Sequence, residues 1–284
     1  MTSLIWGISF VAQVVGMDFM GPFTFNAVTF FIGAASLVPV ILIFDKQRPD
    51  AAARKLLWKY GLIAGLVLFG ASNLQQIGVD LTNSAGKSGF ITGLYIILVP
   101  IAGIFMKRSA GKFTWIGAVF AVVGMYFLCV QDGFGSLTAG DWALFVGAFF
   151  WAAHIIVIDR FAPHVSALRL SQIQFIICGV LCSVVALAAE NIVPSLLLAG
   201  WIPMLYRGLG SIGTAYTLQI IGQRYVPPSK ASVIFSLESV FSAVGGAILI
   251  HEVMTVRAYF GCGLIFCGIL LSQIRRIRTQ PPGV

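Results

Sequence analysis

The chain has 284 residues, of which 58% are hydrophobic and 10% charged, with a formal net charge of +8. A soluble domain of this length carries about 25% charged residues, so this composition excludes a water-soluble enzyme or nucleic-acid-binding domain. Apolar runs recur along the whole length at about the 20 residues a helix needs to cross the hydrocarbon, and the short alternating segments of a barrel are missing. The expected class is an all-α, polytopic membrane protein lying in the lipid bilayer.

Ten transmembrane spans are expected, at 2–17, 23–44, 57–79, 84–106, 113–130, 140–158, 167–188, 201–221, 229–250 and 256–274. Turn residues separate them: Gly21-Pro22, Gly133 with Gly135, Pro163, Pro194 and Pro227-Pro228. Fifteen of the eighteen Lys and Arg residues then fall on one side. They sit in the 2–3 connection (Lys46 to Lys59), the 4–5 connection (Lys107, Arg108, Lys112), the 6–7 and 8–9 connections, and the tail (Arg275, Arg276, Arg278). The positive-inside rule makes both termini cytoplasmic in a multi-pass protein of the plasma (bacterial inner) membrane. The first apolar run begins almost at Met1 without a basic leader, so no cleavable signal is expected.

The segment from Asn83 to Pro100 has a second copy from Pro227 to Ala243. At a constant offset of 143, Lys87 falls on Lys230, Ile91 on Ile234 and Leu94 on Leu237, and Gly89-xxx-Gly93 becomes Ser232-xxx-Ser236. At an offset of 144, Gln75 falls on Gln219, and Gly117 and Gly124 on Gly261 and Gly268. Five spans per half is an odd number, so the halves insert with opposite orientation. The units are 1–135 and 136–276, with a cytoplasmic tail at 277–284. Inverted repeats are a recurring architecture of secondary transporters, with the substrate near the midplane. The Gly and Ser stripes fit close packing within one chain or between two.

Three stretches carry a family resemblance: Trp6–Gly33 (WGISFVAQVVGMDFMGPFTFNAVTFFIG), the span-4 sequence, and Tyr216–Phe241 (YTLQIIGQRYVPPSKASVIFSLESVF). Together they resemble the EamA group of the drug/metabolite transporter superfamily over essentially the whole chain. The resemblance implies an exporter or permease for amino acids or other small metabolites, with a central cavity that includes spans 3, 4, 8 and 9. The family pattern reads FNA-x-RF, with arginine where this chain has Thr29, so no role of that arginine carries over.

A charged side chain inside a span is costly and usually meets a cavity or a partner. Lys87 lies about 5 Å below the outer face at 1.5 Å per residue, and fits either a cavity-facing charge or a snorkelling interface lysine. Glu238 is halfway along span 9 and Arg207 a third of the way into span 8, about 6 Å apart in depth on the same rise. They fit an ion pair joining two helices, or a carboxylate coupling transport to protons. Asn73, Gln75 and Gln76 in span 3, Tyr216 and Gln219 in span 8, and Trp6, Gln13 and Asn26 near the outer half can bind substrate or join helices, the latter at about 1 kcal/mol each. Tyr95 can stack on or cap a ligand. The substrate-binding candidates are thus Lys87, Gln75, Asn73, Tyr95, Tyr216, Gln219, Trp6 and Asn26, with Glu238 and Arg207 as the coupling or ion-pair candidates. A neutral amino acid fits them best, its carboxylate at Lys87 or Arg207 and its ammonium group at Glu238 or amide oxygens. His154 reads as structural, Asp18, Asp80 and Glu190 as solvated span ends, and His251-Glu252 as a helix boundary.

No cofactor or metal is expected, since His154, His164 and His251 are scattered and Cys178 and Cys182 have no His or acidic partner. The other functional reading is a membrane-embedded enzyme acting on a lipid or small molecule. It would require a nucleophile with its base or a ligand cluster. Ala85-Gly86-Lys87-Ser88 resembles a phosphate-binding loop only superficially, having Leu81 at the leading glycine position and no strand before it.

Overall fold

In a computed structural model, residues 1–46, 49–107, 111–129, 138–253 and 255–273 are described. All regular structure among them is helical. The elements are α1 (Thr2–Met17), α2 (Pro22–Phe44), α3 (Ala51–Thr82), α4 (Ala85–Thr92), α5 (Tyr95–Phe105), α6 (Lys112–Cys129), α7 (Ala139–Phe161), α8 (Ala167–Ala189), α9 (Pro194–Ala199), α10 (Trp201–Leu205), a π-helical stretch (Tyr206–Tyr216), α11 (Thr217–Gln223), α12 (Pro228–Phe235), α13 (Leu237–Leu249) and α14 (Val256–Gln273). Among the described residues, six segments are long and apolar enough to cross a membrane: 22–44, 51–82, 85–105, 139–164, 167–189 and 228–249. The protein is therefore a multi-pass membrane protein, and its perimeter agrees: Leu42, Phe44, Val184 and Leu187 are exposed where a soluble protein would carry charge. The expected boundary between the two units, at 135/136, and the tail at 277–284 lie outside the described residues.

Local chemistry sets the helix starts. Asp50 accepts from Ala53 N–H at 2.7 Å, Ser84 from Lys87 N–H at 3.1 Å and Ser166 from Arg169 N–H, each as an N-cap. Thr138 and Asp141 form a reciprocal capping box on α7. Pro22, Pro194 and Pro228 open their helices, where the missing N–H costs nothing. Glu190 does more than end α8 in solvent, which corrects the sequence expectation. It accepts from Phe23 and Thr24 N–H at 2.8 Å and from the Thr24 hydroxyl at 2.6 Å, so it caps α2 from 166 residues away. Glu252 likewise receives Ala85 N–H at 2.7 Å and Gly86 N–H at 3.2 Å, capping α4.

Three expected spans differ from the structure. Span 4 is broken: α4 ends at Thr92, and Gly93 and Leu94 turn the chain with i→i+3 bonds before α5 begins. Span 9 breaks at the repeat-equivalent place, Ser236, whose hydroxyl bonds back to the Val233 carbonyl at 2.7 Å and competes with the helical ladder. Each break follows an eight-residue helix, and each broken span ends on a left-handed residue, Lys107 at φ 57° and His251 at φ 57°. Span 8 is widened, with the π-helical stretch between α10 and α11; such stretches often mark functional sites.

The packing holds these irregular segments at the centre. α2 lies against α8 and the π-helical stretch, α3 against α7 and α8, α1 against α13, and α6 against α14. The Gly86–Gly89 side of α4 meets α13: a methyl group added at Gly89 would lie 2.1 Å from the Ser242 hydroxyl. Phe30, Leu68, Trp151, Phe175 and Tyr216 form the largest apolar cluster.

Candidate functional site

One face of α1 carries Trp6, Ser9, Phe10 and Gln13, the spacing that brings side chains to one side of a helix. These residues line a central cavity with Gln75 of α3, Thr92 of α4 and Tyr95 of α5. The opposite wall is Trp151 and Ile155 of α7, Arg207, Ser211 and Tyr216 of the π-helical stretch, Gln219 of α11 and Glu238 of α13. Spans 1 and 6 thus join the spans 3, 4, 8 and 9 expected from the resemblance. Aromatic rings form much of the wall: Tyr216 lies 4.8 Å from Trp6 and 5.9 Å, nearly parallel, from Trp151, measured between centroids.

Polar side chains around the cavity are tied into two systems. In the first, Gln75 donates to Gln13 Oε1 at 2.8 Å and Gln76 to the Gln13 carbonyl at 3.3 Å. Arg207 donates from Nη1 to Gln76 Oε1 and from Nη2 to Asn26 Oδ1, the latter at 2.8 Å. Asn26 in turn donates to Asn73 Oδ1 at 2.9 Å, and Asn73 to Cys182 Sγ at 3.2 Å. Thr29, standing where the family pattern has arginine, is buried and turns its hydroxyl to the Phe25 carbonyl; the guanidinium on the α2 face comes from Arg207 instead. In the second system, the Tyr95 hydroxyl donates to Glu238 Oε1 at 2.8 Å. These two residues are the first of α5 and the second of α13, each just past a helix break.

The expected contact between Arg207 and Glu238 is therefore not made: neutral amides take the guanidinium and a phenol takes the carboxylate. Both still line the same cavity, with Trp6, Gln75, Tyr95, Tyr216 and Gln219. Asn26 and Asn73 stand behind the lining as partners of Arg207 and of each other. Lys87 lies away from the cavity, at one end of the bundle, its Nζ 2.9 Å from the Asp141 carboxylate of α7. Its side chain is 32% exposed. Sequence reasoning did not single out Ser9, Thr92, Trp151 or Ser211; for Ser9 the signal was its place on the Trp6–Gln13 face.

Among the described residues, six buried polar atoms on the lining have no hydrogen-bond partner: Trp6 Nε1, Ser9 Oγ, Thr92 Oγ1, Trp151 Nε1, Arg207 Nε and Gln219 Oε1. Buried polar groups are normally satisfied, so their convergence makes this cavity the candidate site. The cavity is narrow here. Its volume is about 30 Å³, against about 410 Å³ in a vestibule lined by Asp159, Gln223, Arg224 and Lys230. Between the two, Gln219 donates to Gln223 Oε1 at 2.8 Å, and Gln223 to the Ile155 carbonyl at 2.9 Å.

A profile of the EamA-like transporter family matches residues 1–130 and 138–273. The chain belongs to that family. This EamA protein is 29% identical over 285 residues to a protein of Archaeoglobus fulgidus described as an uncharacterized transporter, covering 97% of this chain and 84% of the relative. It is 24% identical over 287 residues to the uncharacterized transporter YoaV of Bacillus subtilis, covering 98% and 96%. A solved crystal structure shares the fold with a TM-score of 0.74 at 18% identity, covering 96% of each chain. EamA membership makes the protein a membrane transporter of the drug/metabolite transporter superfamily, not an enzyme.

Proposed function

We propose that the protein is a secondary transporter exporting small organic metabolites, amino acids foremost, across the plasma membrane by alternating access. The reading takes ten spans in two inverted five-helix repeats, 1–135 and 136–276, with both termini and the tail at 277–284 cytoplasmic. Contacts between repeat-equivalent residues support the inversion. The offset of 143 carries Tyr95 onto Glu238, and these two side chains bond to each other. The offset of 144 carries Gly117 and Gly124 onto Gly261 and Gly268. A methyl group at Gly124 would lie 2.5 Å from the Gly261 carbonyl oxygen, and one at Gly268 would lie 2.5 Å from that of Gly117. Equivalent positions touch in this reciprocal way on a two-fold axis, and inverted repeats supply one in the membrane plane.

The single observation that carries the function is the cavity beside that axis, lined from three spans of each half and holding unpartnered polar groups. One acidic and one basic side chain among aromatic walls suit a small zwitterion. Gln219, Gln223 and Ile155 form the inner constriction towards the cytoplasmic vestibule. Lys87–Asp141 and the Glu252 cap on α4 tie the outer end. Loosening one end while tying the other gives alternating access, and Glu238, on the axis, is the group we assign to proton coupling.

Counterflow in proteoliposomes with labelled neutral, aromatic and basic amino acids, at equal pH on both sides, tests this. Saturable exchange of one class is expected, and an imposed pH gradient accelerates wild type but not Glu238→Gln. No exchange of any amino acid by folded protein removes the amino-acid reading. Equal acceleration of Glu238→Gln removes the coupling role.

A further inference from the structure

We propose that Arg207 is the anion subsite of the cavity, taking a carboxylate or equivalent oxyanion of the substrate, with Asn26 and Gln76 as the residues that position its guanidinium. The inference rests on the transport reading and adds the polarity of the bound molecule. Arg207 is 3% exposed, yet its two hydrogen bonds go to neutral amide oxygens. No carboxylate lies within ion-pair distance of it among the described residues. Glu238, the other charged lining residue, is bonded to Tyr95. A buried cation without an anionic partner is costly, and among the described residues Arg207 meets neutral amide oxygens and the face of the Phe25 ring, 5.2 Å from its centroid.

The amides that face Arg207 are themselves held. Asn26 donates to Asn73 and to the Ser72 carbonyl, and Gln76 donates to the Gln13 carbonyl. Their oxygens occupy both terminal nitrogens and leave Nε without an acceptor. The indole N–H groups of Trp6 and Trp151 on the same cavity also lack acceptors. All three are obligate donors, against one unpartnered obligate acceptor on the lining, Gln219 Oε1, and this surplus favours an anion with two acceptor oxygens over an ammonium group or the single oxygen of an amide. Arginine also suits planar carboxylate recognition better than lysine does.

The test is thermal unfolding of the purified full chain in detergent with four related probes. They are a neutral L-amino acid, its carboxamide, its decarboxylated amine, and the acid lacking the amino group. Both acids are expected to raise Tm, and the amide and amine to leave it unchanged. Gln76→Glu keeps the side-chain shape but hands the guanidinium a carboxylate of the protein's own. It is expected to raise the half-saturating concentration of the acids at least tenfold, as is Arg207→Gln, whereas Arg207→Lys retains part of the response. Equal stabilisation by the amide, wild-type half-saturation in folded Gln76→Glu, or no stabilisation by any acid would overturn the proposal. Counterflow separates the two readings. Acids that bind without exchange leave the subsite standing and remove the carrier, while exchange of amide and acid alike does the reverse.

Discussion

Tyr95 and Glu238 each lie in the first turn of a helix after a break, and the Tyr95 hydroxyl donates to the Glu238 carboxylate. Glu238 is 5% exposed and, among the described residues, takes its only hydrogen bond from the Tyr95 hydroxyl. Tyr95→Phe removes that donor and little volume. A loss of about 1–3 kcal/mol is expected, read as a lower Tm in detergent, together with roughly tenfold slower counterflow. An unchanged Tm and rate would mean that the pair contributes nothing to the resting structure or to transport. Lys87 shows the same dependence on partners from the opposite side. From its place in the chain it fitted a cavity charge or a snorkelling lysine; in the structure it meets Asp141, whose carboxylate also serves the capping box of α7.

The crossing of α6 and α14 depends on two glycines that bring backbones together. Gly124→Ala and Gly268→Ala each drive a methyl group to within 2.5 Å of a carbonyl oxygen on the facing helix. Overpacking of this kind costs about 1–3 kcal/mol. Thermal unfolding should show two similar drops in Tm, because the contacts are reciprocal. A large drop for one variant and none for the other would argue against the two-fold relation. Ser239 and Ser242 of α13 perform the matching service against Gly89 of α4. Ser239 donates to the Gly89 carbonyl of α4 at 2.7 Å, tying the two broken spans together.

Taken together, the described residues form a bundle with side-chain ties at both ends, the Asp45–Arg169 ion pair among them, and a vestibule at one of them. One end holds Lys87–Asp141 and the two carboxylate caps by Glu190 and Glu252. The other holds the vestibule with Arg224 and Lys230. Membrane-impermeant thiol reagents can check this in a background without the accessible native cysteines. Ser229→Cys, in the vestibule, is expected to react only in inverted vesicles, and Val253→Cys, exposed beyond α13, only in intact cells. In Asp141→Asn, labelling of Ser9→Cys from outside should rise several-fold as the outer tie is released. Reaction of the Ser229 and Val253 positions from the same side would overturn the proposed topology.

Much of this was legible in the order of residues. Twenty-residue apolar runs, the placing of fifteen of eighteen lysines and arginines in the expected alternate connections, and the offset of 143–144 are properties of a linear string, because hydrocarbon thickness and membrane insertion act on each segment separately. The polar candidates Arg207, Glu238, Tyr95 and Gln219 could be found the same way, since a polar group inside a span stands out against its neighbours. Their partners could not. A soluble helix announces its inner face by an apolar stripe, but these helices are apolar nearly all round, and their packing is set by close van der Waals fit and hydrogen bonds. Only the assembled bundle determined that Arg207 meets Asn26 and Gln76 instead of Glu238, and that Trp151 and Ser9 enter the cavity wall. It likewise made Glu190 and Glu252 the caps of distant helices. Each of those outcomes depends on the rotation of one helix about its axis relative to another, and no single segment carries that angle.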